Sequence, residues 1–327
     1  MTAPATAPAG VSRVAAAPAG RRAARARWCW GTRLVMVTAC GWLVFTVAHL
    51  LLSGRFWLWA LADLVPPGAF VVVPLGLLLV ARLARPARWR VVLLAGAALA
   101  IGVDAAGVRP DALWHREPPA GSDAVRVVSW NTEFWHDGDD PDAFYRHLRA
   151  QDADVYLLQE YVTLVDHDPV EINDLDRLRA EFPDYQVIAY SELVTLSRLP
   201  VVAWRPVDAS DWLSAAEHSL PPPNAAFPPY WTTKTLRTDI QVGRRTVSFY
   251  NSHLPVPLSV TRSPLGSDFY RIIREQHGRR WANVRALVAD LDANRNPVVL
   301  AGDLNASPAM SLLRPITDRL VDAGAAL

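Results

Sequence analysis

Three apolar runs between residues 34 and 108 constrain the fold of this chain more than any other feature of its sequence. The first, residues 34–52, is about long enough for a helix that crosses a lipid bilayer, which takes roughly 20 residues. The second, residues 56–80, is interrupted by Asp63 and by prolines and glycines, and the third is residues 91–108. Proline and glycine are tolerated in membrane helices when neighbouring groups satisfy the freed backbone atoms. We predict three transmembrane helices within residues 33–109, and two spans with a buried or interfacial segment are the alternative.

Arginine is distributed unequally around these runs, and its distribution predicts the topology. Residues 1–32 are rich in Ala, Pro, Gly and Arg without apolar periodicity, which indicates a basic, disordered tail. Only Arg55 lies between the first two runs, whereas four arginines separate the second run from the third: Arg82, Arg85, Arg88 and Arg90. Because basic segments stay in the cytoplasm, the tail and this second loop are predicted to be cytoplasmic, and three spans then place everything after residue 110 outside a bacterial cell membrane. A signal peptide is the competing interpretation of the first run, but two more apolar runs follow it directly.

Two acidic residues, Asp63 and Asp104, lie within the apolar runs. Carboxylates inside a membrane are costly, so each is a candidate for a functional role. Asp104 lies near the end of its run, and an interfacial position is the simpler interpretation there. A functional role is the minor hypothesis for both residues.

The charge of the chain divides at the same place as its hydropathy. Up to Asp123 there are 13 arginines and five acids, a net charge of +8, whereas the remainder has 20 basic and 27 acidic residues, a net charge of −7. All the basic residues except Lys234 are arginine. A net-acidic domain is poorly suited to binding a polyanion through many phosphate contacts, which disfavours nucleic acid as a partner. Both cysteines, Cys29 and Cys40, lie in or beside the first apolar run, which excludes a disulfide framework from the later domain.

Residues 110–123 contain Pro118, Pro119 and Gly121 and are predicted to be a linker, and residues 124–327 then alternate between strand and helix patterns. The predicted strands are residues 124–130, 155–159, 185–190, 193–196, 234–241, 246–251 and 297–301. The predicted helices are residues 142–151, 174–182 and 268–294. Ser307 and Pro308 have the residue types of an N-cap and a first helical position, which predicts one more helix there.

Polar side chains follow four of the predicted strands. They are Asn131, Glu160, His253, and Asp303 with Asn305. Each has a simpler structural interpretation by itself: a capping amide, a solvated charge, a structural histidine, or a turn. Together they fit one task, because a hard cation such as Mg²⁺ takes carboxylate, amide and water oxygens. Phosphoryl transfer needs such a cation, a group that positions water, and donors to the phosphate oxygens.

Five short segments carry these residues in a consistent order: residues 128–131 (VSWN), 157–160 (LLQE), 197–200 (SRLP), 250–254 (YNSHL) and 301–305 (AGDLN). In this order they resemble the endonuclease/exonuclease/phosphatase superfamily, which includes DNase I-like nucleases, neutral sphingomyelinases and inositol-polyphosphate 5-phosphatases. The resemblance covers residues 124–327. It implies an α/β sandwich of two packed β-sheets flanked by helices.

The same resemblance implies a role for each residue. Glu160 would be the main ligand of Mg²⁺, or alternatively of Mn²⁺, with Asn131 beside it. Asp303 would orient or deprotonate the attacking water, and Asn305 would hold phosphate or water. His253 would donate a hydrogen bond to a phosphate oxygen.

The sequence departs from the family pattern at its end. Family members close with a strand and a Ser-Asp-His motif, and no Ser-Asp-His occurs in this sequence. A C-terminally truncated fold with an exposed sheet edge is therefore expected, or else a degenerate activity. His277 is the conceivable substitute, but it lies within the predicted helix of residues 268–294.

Three functions follow as hypotheses. The first is a membrane-anchored, extracytoplasmic, Mg²⁺-dependent hydrolase of a phosphoester, phosphodiester or phosphoanhydride. The layout and residues 250–257 resemble the membrane proteins linked to teicoplanin resistance, the VanJ type, which implies a lipid-linked phosphate of the cell envelope as substrate. The second is an exported, anchored nuclease, and the third is a domain without enzyme activity. The bilayer and a phosphorylated substrate are the expected partners, and no oligomeric state is predicted.

Overall fold

The structure is a computed structural model that describes residues 29–107, 124–165, 168–214, 227, 229–258 and 262–323. The predicted linker at 110–123 and most of the predicted tail lie outside these residues. The predicted membrane segment, called the membrane segment below, consists of helix α1 (Trp30–Leu52), a 3-10 helix (Trp57–Leu64), α2 (Ala69–Val80) and α3 (Arg88–Ala105). Helix α1 therefore begins three residues before the predicted boundary at residue 33.

Two helical stretches of this segment, Trp30–Leu52 and Arg85–Ala105, are long and apolar enough to cross a membrane. The predicted second span is not one helix, because the 3-10 helix and α2 meet at an angle of 60°. Pro66 and Pro67 lie at the break, where they lack backbone N–H donors and restrict the residue before them. The described residues thus provide two candidate spans, or three if the bent pair crosses as one.

Small residues allow helices α1, α2 and α3 to pack closely. Ala39 of α1, Ala81 after α2 and Ala95 of α3 are buried together in one apolar cluster. Side chains such as Val72 and Leu93 on the outer surface are 68% and 71% exposed. An apolar exterior around a core of small residues is typical of helices that associate within lipid.

Two four-stranded sheets form the body of the domain that follows. The first has the order β1-β2-β6-β5, the second has the order β10-β9-β8-β7, and β3 pairs with β4 as a separate hairpin. The β1–β2 and β10–β9 pairs are parallel and the other pairs are antiparallel. The strands are β1 (Val127–Asn131), β2 (Val155–Gln159), β3 (Val162–Val165), β4 (Asp168–Glu171), β5 (Gln186–Tyr190), β6 (Leu193–Ser197), β7 (Val201–Asp208), β8 (Thr233–Val242), β9 (Arg245–His253) and β10 (Val298–Asp303).

Alternation along the strands explains how the two sheets pack. Val155 and Leu157 of β2 face Ile240 and Phe249 of the second sheet, and all four are buried. The alternate residues of β2, including Tyr156, pack on the opposite face among residues from the helices. Helices α4 (Pro141–Ala150) and α5 (Leu175–Glu181) cover the first sheet, and α7 (Ser267–Ala293) covers the second. The predicted sandwich flanked by helices is confirmed, and β1 and β10 are edge strands within the described residues.

The predicted helix at Ser307 is wrong. Residues 307–310 form a turn, closed by a 2.9 Å hydrogen bond from the Met310 N–H to the Ser307 carbonyl. Helical structure begins only at Ser311–Leu313, a 3-10 turn, and continues as helix α8 (Arg314–Thr317). The remaining short helix, α6 (Pro229–Thr232), precedes β8. The Ala309 carbonyl bonds instead to His49 of the membrane segment, so a tertiary contact overrides the local helix signal. Strands β3, β4 and β7 were not predicted.

Candidate active site

The polar residues predicted at the strand ends converge because two parallel strand pairs end side by side. Asn131 ends β1 opposite Gln159 of β2, and Glu160 follows Gln159 directly. Asp303 ends β10 opposite His253 of β9. The Asn131 amide nitrogen joins the two pairs, since it donates to Glu160 Oε1 at 2.8 Å and to Asp303 Oδ2 at 3.0 Å.

The backbone of Glu160 is held in an uncommon conformation. Its φ angle is +64°, a left-handed value that side chains with a Cβ rarely adopt. The loop after Asn131 contains three more such residues, Glu133, Phe134 and Trp135. This loop turns the Phe134 N–H towards Glu160, where it donates to Oε2 at 3.0 Å. Backbone strain of this kind persists where surrounding contacts fix it and is concentrated at functional sites.

A glycine allows Asp303 and Asn305 to approach the neighbouring strand. Gly302 has a φ of +146°, and a Cβ at this position would overlap the Ser252 carbonyl group. Asp303 Oδ1 then accepts from the Asn305 N–H at 2.9 Å. The Asn305 amide donates to the Leu254 carbonyl at 2.9 Å, so it also ties the loop after β10 to the loop after β9.

His253 rests on a buried ion pair that the sequence did not reveal. Its Nδ1 lies 3.1 Å from Glu192 Oε2, and its Nε2 lies 3.7 Å from Glu160 Oε1. Glu192 in turn forms an ion pair with Lys234, and both side chains are essentially unexposed. The Lys234 ammonium also lies 3.4 Å from the ring centre of Tyr230.

The pKa shifts of this pair follow from burial and mutual charge. Burial would raise the pKa of Glu192, but the charges of His253 and Lys234 lower it below its ordinary value. Burial lowers the pKa of Lys234, and the nearby carboxylates of Glu192 and Glu160 oppose that shift. Glu192 gave no sequence signal because it lies in the tight turn between β5 and β6, where a charged residue is ordinarily solvated. Lys234, the single lysine of an arginine-rich chain, was the available hint.

Other residues of the five segments are structural. The Gln159 amide donates to Asn251 Oδ1 at 2.6 Å, and Asn251 donates to the Leu158 and Val194 carbonyls, which joins the two sheets beneath the site. Ser197 pairs with Val155 at the start of β2, whereas Glu160 follows the end of that strand. The SRLP segment therefore lies at the opposite end of the sheet and contributes nothing to the site.

The residues present fit a divalent cation. Within the described ranges, no three His, Cys, Asp or Glu side chains are grouped closely enough to bind a metal by themselves. Mg²⁺, however, is commonly bound by one or two carboxylates together with water and substrate oxygens. Glu160 and Asp303 each direct one carboxylate oxygen at the same Asn131 nitrogen, and rotation of that amide would present its oxygen instead. Two carboxylates and an amide are a hard-cation donor set.

Comparison with known proteins points to one family. The sequence model of the endonuclease/exonuclease/phosphatase family matches residues 128–325. No curated protein sequence matches the chain. Truncated TDP2 from Caenorhabditis elegans is 20% identical with a TM-score of 0.34, over 55% of this chain and 62% of that one, less than two thirds of its length.

Two further solved structures are similar over about the same share of the chain. Beta toxin from Staphylococcus aureus is 14% identical with a TM-score of 0.37, over 59% of this chain and 71% of that one. An endonuclease/exonuclease/phosphatase family protein from Leptotrichia buccalis is also 14% identical with a TM-score of 0.37, over 60% of this chain and 73% of that one.

Proposed function

Because the chain belongs to the endonuclease/exonuclease/phosphatase family, we propose that it hydrolyses phosphoester or phosphoanhydride bonds at the centre formed by Asn131, Glu160, His253 and Asp303. The observation that carries this proposal is the Asn131 amide, which bonds to Glu160 and Asp303 across the two sheets. In this proposal Glu160 and Asn131 bind Mg²⁺, or alternatively Mn²⁺. The bound cation would neutralise charge that develops on the phosphate in the transition state.

The protein side chains supply the remaining chemistry of the proposed reaction. The Asp303 carboxylate orients a water molecule and takes its proton as the water oxygen bonds to phosphorus and the bond to the leaving oxygen breaks. His253 Nε2 donates to a phosphate oxygen, and its 3.7 Å separation from Glu160 is too long for a hydrogen bond that would compete. Asn305, held by Leu254, lies beside Asp303 to bind phosphate or water.

We further propose that the centre acts outside the cytoplasm on a lipid-linked phosphate of the cell envelope, as the likeness to the VanJ type implies. Helices α1 and α3 both end beside the catalytic domain, since His49 bonds to Ala309 and Gly107 lies against Pro308. Together with the arginine asymmetry, this arrangement supports an extracytoplasmic domain. A domain packed against the ends of membrane helices would have its centre near lipid headgroups.

Purified full-length protein in detergent micelles with Mg²⁺ tests the proposal. We expect phosphate release from a polyprenyl pyrophosphate, and we expect Glu160→Gln to reduce it at least ~100-fold because charge stabilisation at the phosphate is lost. Asp152→Asn is the matched control. The Asp152 carboxylate pairs at the surface with Arg198 of the SRLP segment, at the end of the sheet far from the site, so removal of its charge should leave the rate unchanged.

The substrate panel separates the alternatives. Cleavage of supercoiled DNA in preference to the lipid pyrophosphate would establish the nuclease, which the −7 charge of the domain disfavours. The hydrolase would be refuted if the wild type cleaved neither DNA, the lipid pyrophosphate nor bis(p-nitrophenyl) phosphate, and if Glu160→Gln gave the same rates as the wild type. That result would favour a domain without enzyme activity.

A further inference from the structure

We propose that the outer end of the membrane segment positions the catalytic loop, residues 303–313, so that the anchor is part of the catalytic centre as well as its tether. The proposal rests on the proposed function for the role of this loop. The loop begins at Asp303, and Asn305 lies three residues before Pro308, a distance of at most about 11 Å along the chain. A small shift of Ala309 can therefore reach the reacting groups.

His49 of α1 makes the most direct contact. Its side chain is buried, its Nε2 lies 2.8 Å from the Ala309 carbonyl oxygen, and the Trp59 indole N–H donates to its Nδ1 at 3.2 Å. An indole nitrogen can only donate, so Nδ1 must be the acceptor. The proton of the neutral ring then lies on Nε2, which donates to Ala309.

Two further hydrogen bonds join the same surfaces. The Ser311 N–H donates to Ser53 Oγ at 3.0 Å, and the Trp281 indole donates to the Gly54 carbonyl at 2.5 Å. Ser53 and Gly54 follow α1 directly, and Trp281 belongs to α7. Within the turn at 307–310 itself, the Met310 to Ser307 bond is the backbone contact. The position of the loop thus depends on bonds from outside it.

A buried arginine lies in the electrostatic reach of both the anchor and Asp303. Arg280 of α7 is 4% exposed, and it donates to the Pro255 carbonyl. Burial lowers the pKa of Arg280 to about 10, and the charges of Asp63 and Asp303 oppose that shift. Asp63 is also buried and lies 3.6 Å from His49. The charge of Arg280 is therefore close enough to interact electrostatically with one carboxylate of the membrane segment and one of the catalytic centre, although it forms a direct ion pair with neither.

Apolar packing makes this junction continuous. Ala60 of the 3-10 helix is buried against Phe269 and Ile273 of α7. A cavity of about 30 Å³ between Asp63 and Arg280 has room for a water molecule. Buried polar groups are destabilising when they lose their partners, so the membrane segment and the catalytic domain favour one relative position. Misplacement by about 1 Å can reduce turnover roughly 100-fold.

Three variants of the full chain in detergent micelles test the proposal. His49→Leu removes both hydrogen bonds, whereas His49→Gln can restore them because its amide nitrogen donates to Ala309 and its oxygen accepts from Trp59. Thr46→Val is the control, since Thr46 is buried one turn earlier and its hydroxyl donates to the Trp42 carbonyl of its own helix. We expect His49→Leu to lower kcat about tenfold with little change in KM, and the other two to resemble the wild type.

Amide hydrogen exchange is the second readout, and it needs no activity. In His49→Leu we expect residues 304–313 to exchange at least ~10-fold faster, while the strands of both sheets keep their protection. Exchange at the wild-type rate in the loop, or an equal acceleration in every element, would overturn the proposal. If His49→Leu does not fold, Ser53→Ala removes the hydroxyl that accepts from the Ser311 N–H and also bonds to Asp63 at the same junction, and it is read in the same way. A wild-type protein without phosphohydrolase activity would refute the proposed function, and the exchange data would still decide the positioning.

Discussion

The buried pair of Glu192 and Lys234 allows a quantitative test of how His253 is supported. Replacement Glu192→Gln keeps the shape of the side chain and an oxygen that can accept hydrogen bonds, but it removes the charge. Lys234, which is 1% exposed, would then be a buried cation without its counter-ion. Breaking a buried pair from one side costs about 3–5 kcal/mol, and the retained acceptor favours the lower end of that range. We therefore expect a loss of about 3 kcal/mol in the free energy of unfolding.

Thermal unfolding followed by tryptophan fluorescence in detergent, at one fixed scan rate, measures this loss. For a domain of this size, about 3 kcal/mol corresponds to a decrease in Tm of roughly 6–12 °C. The double variant Glu192→Gln/Lys234→Met removes the stranded charge and replaces it with an apolar side chain of similar length. We expect it to recover to within about 1 kcal/mol of the wild type, because apolar replacement of a buried pair is often neutral.

Activity of the same two variants separates stability from positioning. Both lack the charge that faces His253 Nδ1, so both should lose turnover even though only one is strongly destabilised. A Tm of Glu192→Gln within about 2 °C of the wild type would refute the reasoning, because it would mean that Lys234 is neutral in the folded protein. A double variant as unstable as the single one would refute it too.

Two further predictions concern pH and backbone conformation. Folding lowers the pKa of Glu192, so this residue contributes stability above its ordinary pKa of 4.5, and the contribution is lost as the pH falls through the folded pKa. The difference in unfolding free energy between the wild type and Glu192→Gln should therefore shrink between pH 7 and pH ~3.5. A difference that grows over this range would contradict the lowered pKa. Gly302→Ala should cost more than ~3 kcal/mol of unfolding free energy or prevent folding, because the added Cβ would overlap Ser252. Gly243→Ala is the comparison: a Cβ there meets open space and only the left-handed backbone is unfavourable, so the same unfolding measurement should show a cost of about 1–2 kcal/mol. Equal effects of the two variants would argue against the close approach of β9 and β10.

The sequence predicted the parts of the site that follow buried strands. The apolar run that begins at Val155 is uninterrupted up to the polar pair Gln159 and Glu160. The structure gives β2 the predicted bounds, Val155–Gln159. A hydrophobic run specifies a buried strand, and the polar residue after it must lie at the sheet edge. Asn131, Glu160, His253 and Asp303 could be identified in this way because each marks such an end. Their convergence follows from the parallel pairing of β1 with β2 and of β9 with β10.

The supporting residues could not be predicted because their partners are distant in sequence. Lys234 lies 42 residues from Glu192, and His49 lies 260 residues from Ala309. Local patterns carry no information at such separations, and they also misled at Ser307, where a contact from the membrane segment replaces the first turn of the predicted helix. The bend between the 3-10 helix and α2 was similarly hidden, although Pro66 and Pro67 marked its position.

Buried charged residues outside the five family segments support the catalytic centre. Lys234 holds Glu192 against His253, and the buried Arg280 interacts electrostatically with Asp63 and Asp303 without a direct ion pair to either. Buried charges gain little net stability over apolar side chains, so stability alone does not account for them. The pair of Glu192 and Lys234 does orient His253, the donor of the proposed reaction, because Glu192 faces its Nδ1. Variants confined to the five segments would therefore probe only half of the centre, and substitutions of Glu192 and Asp63 are needed to probe the rest.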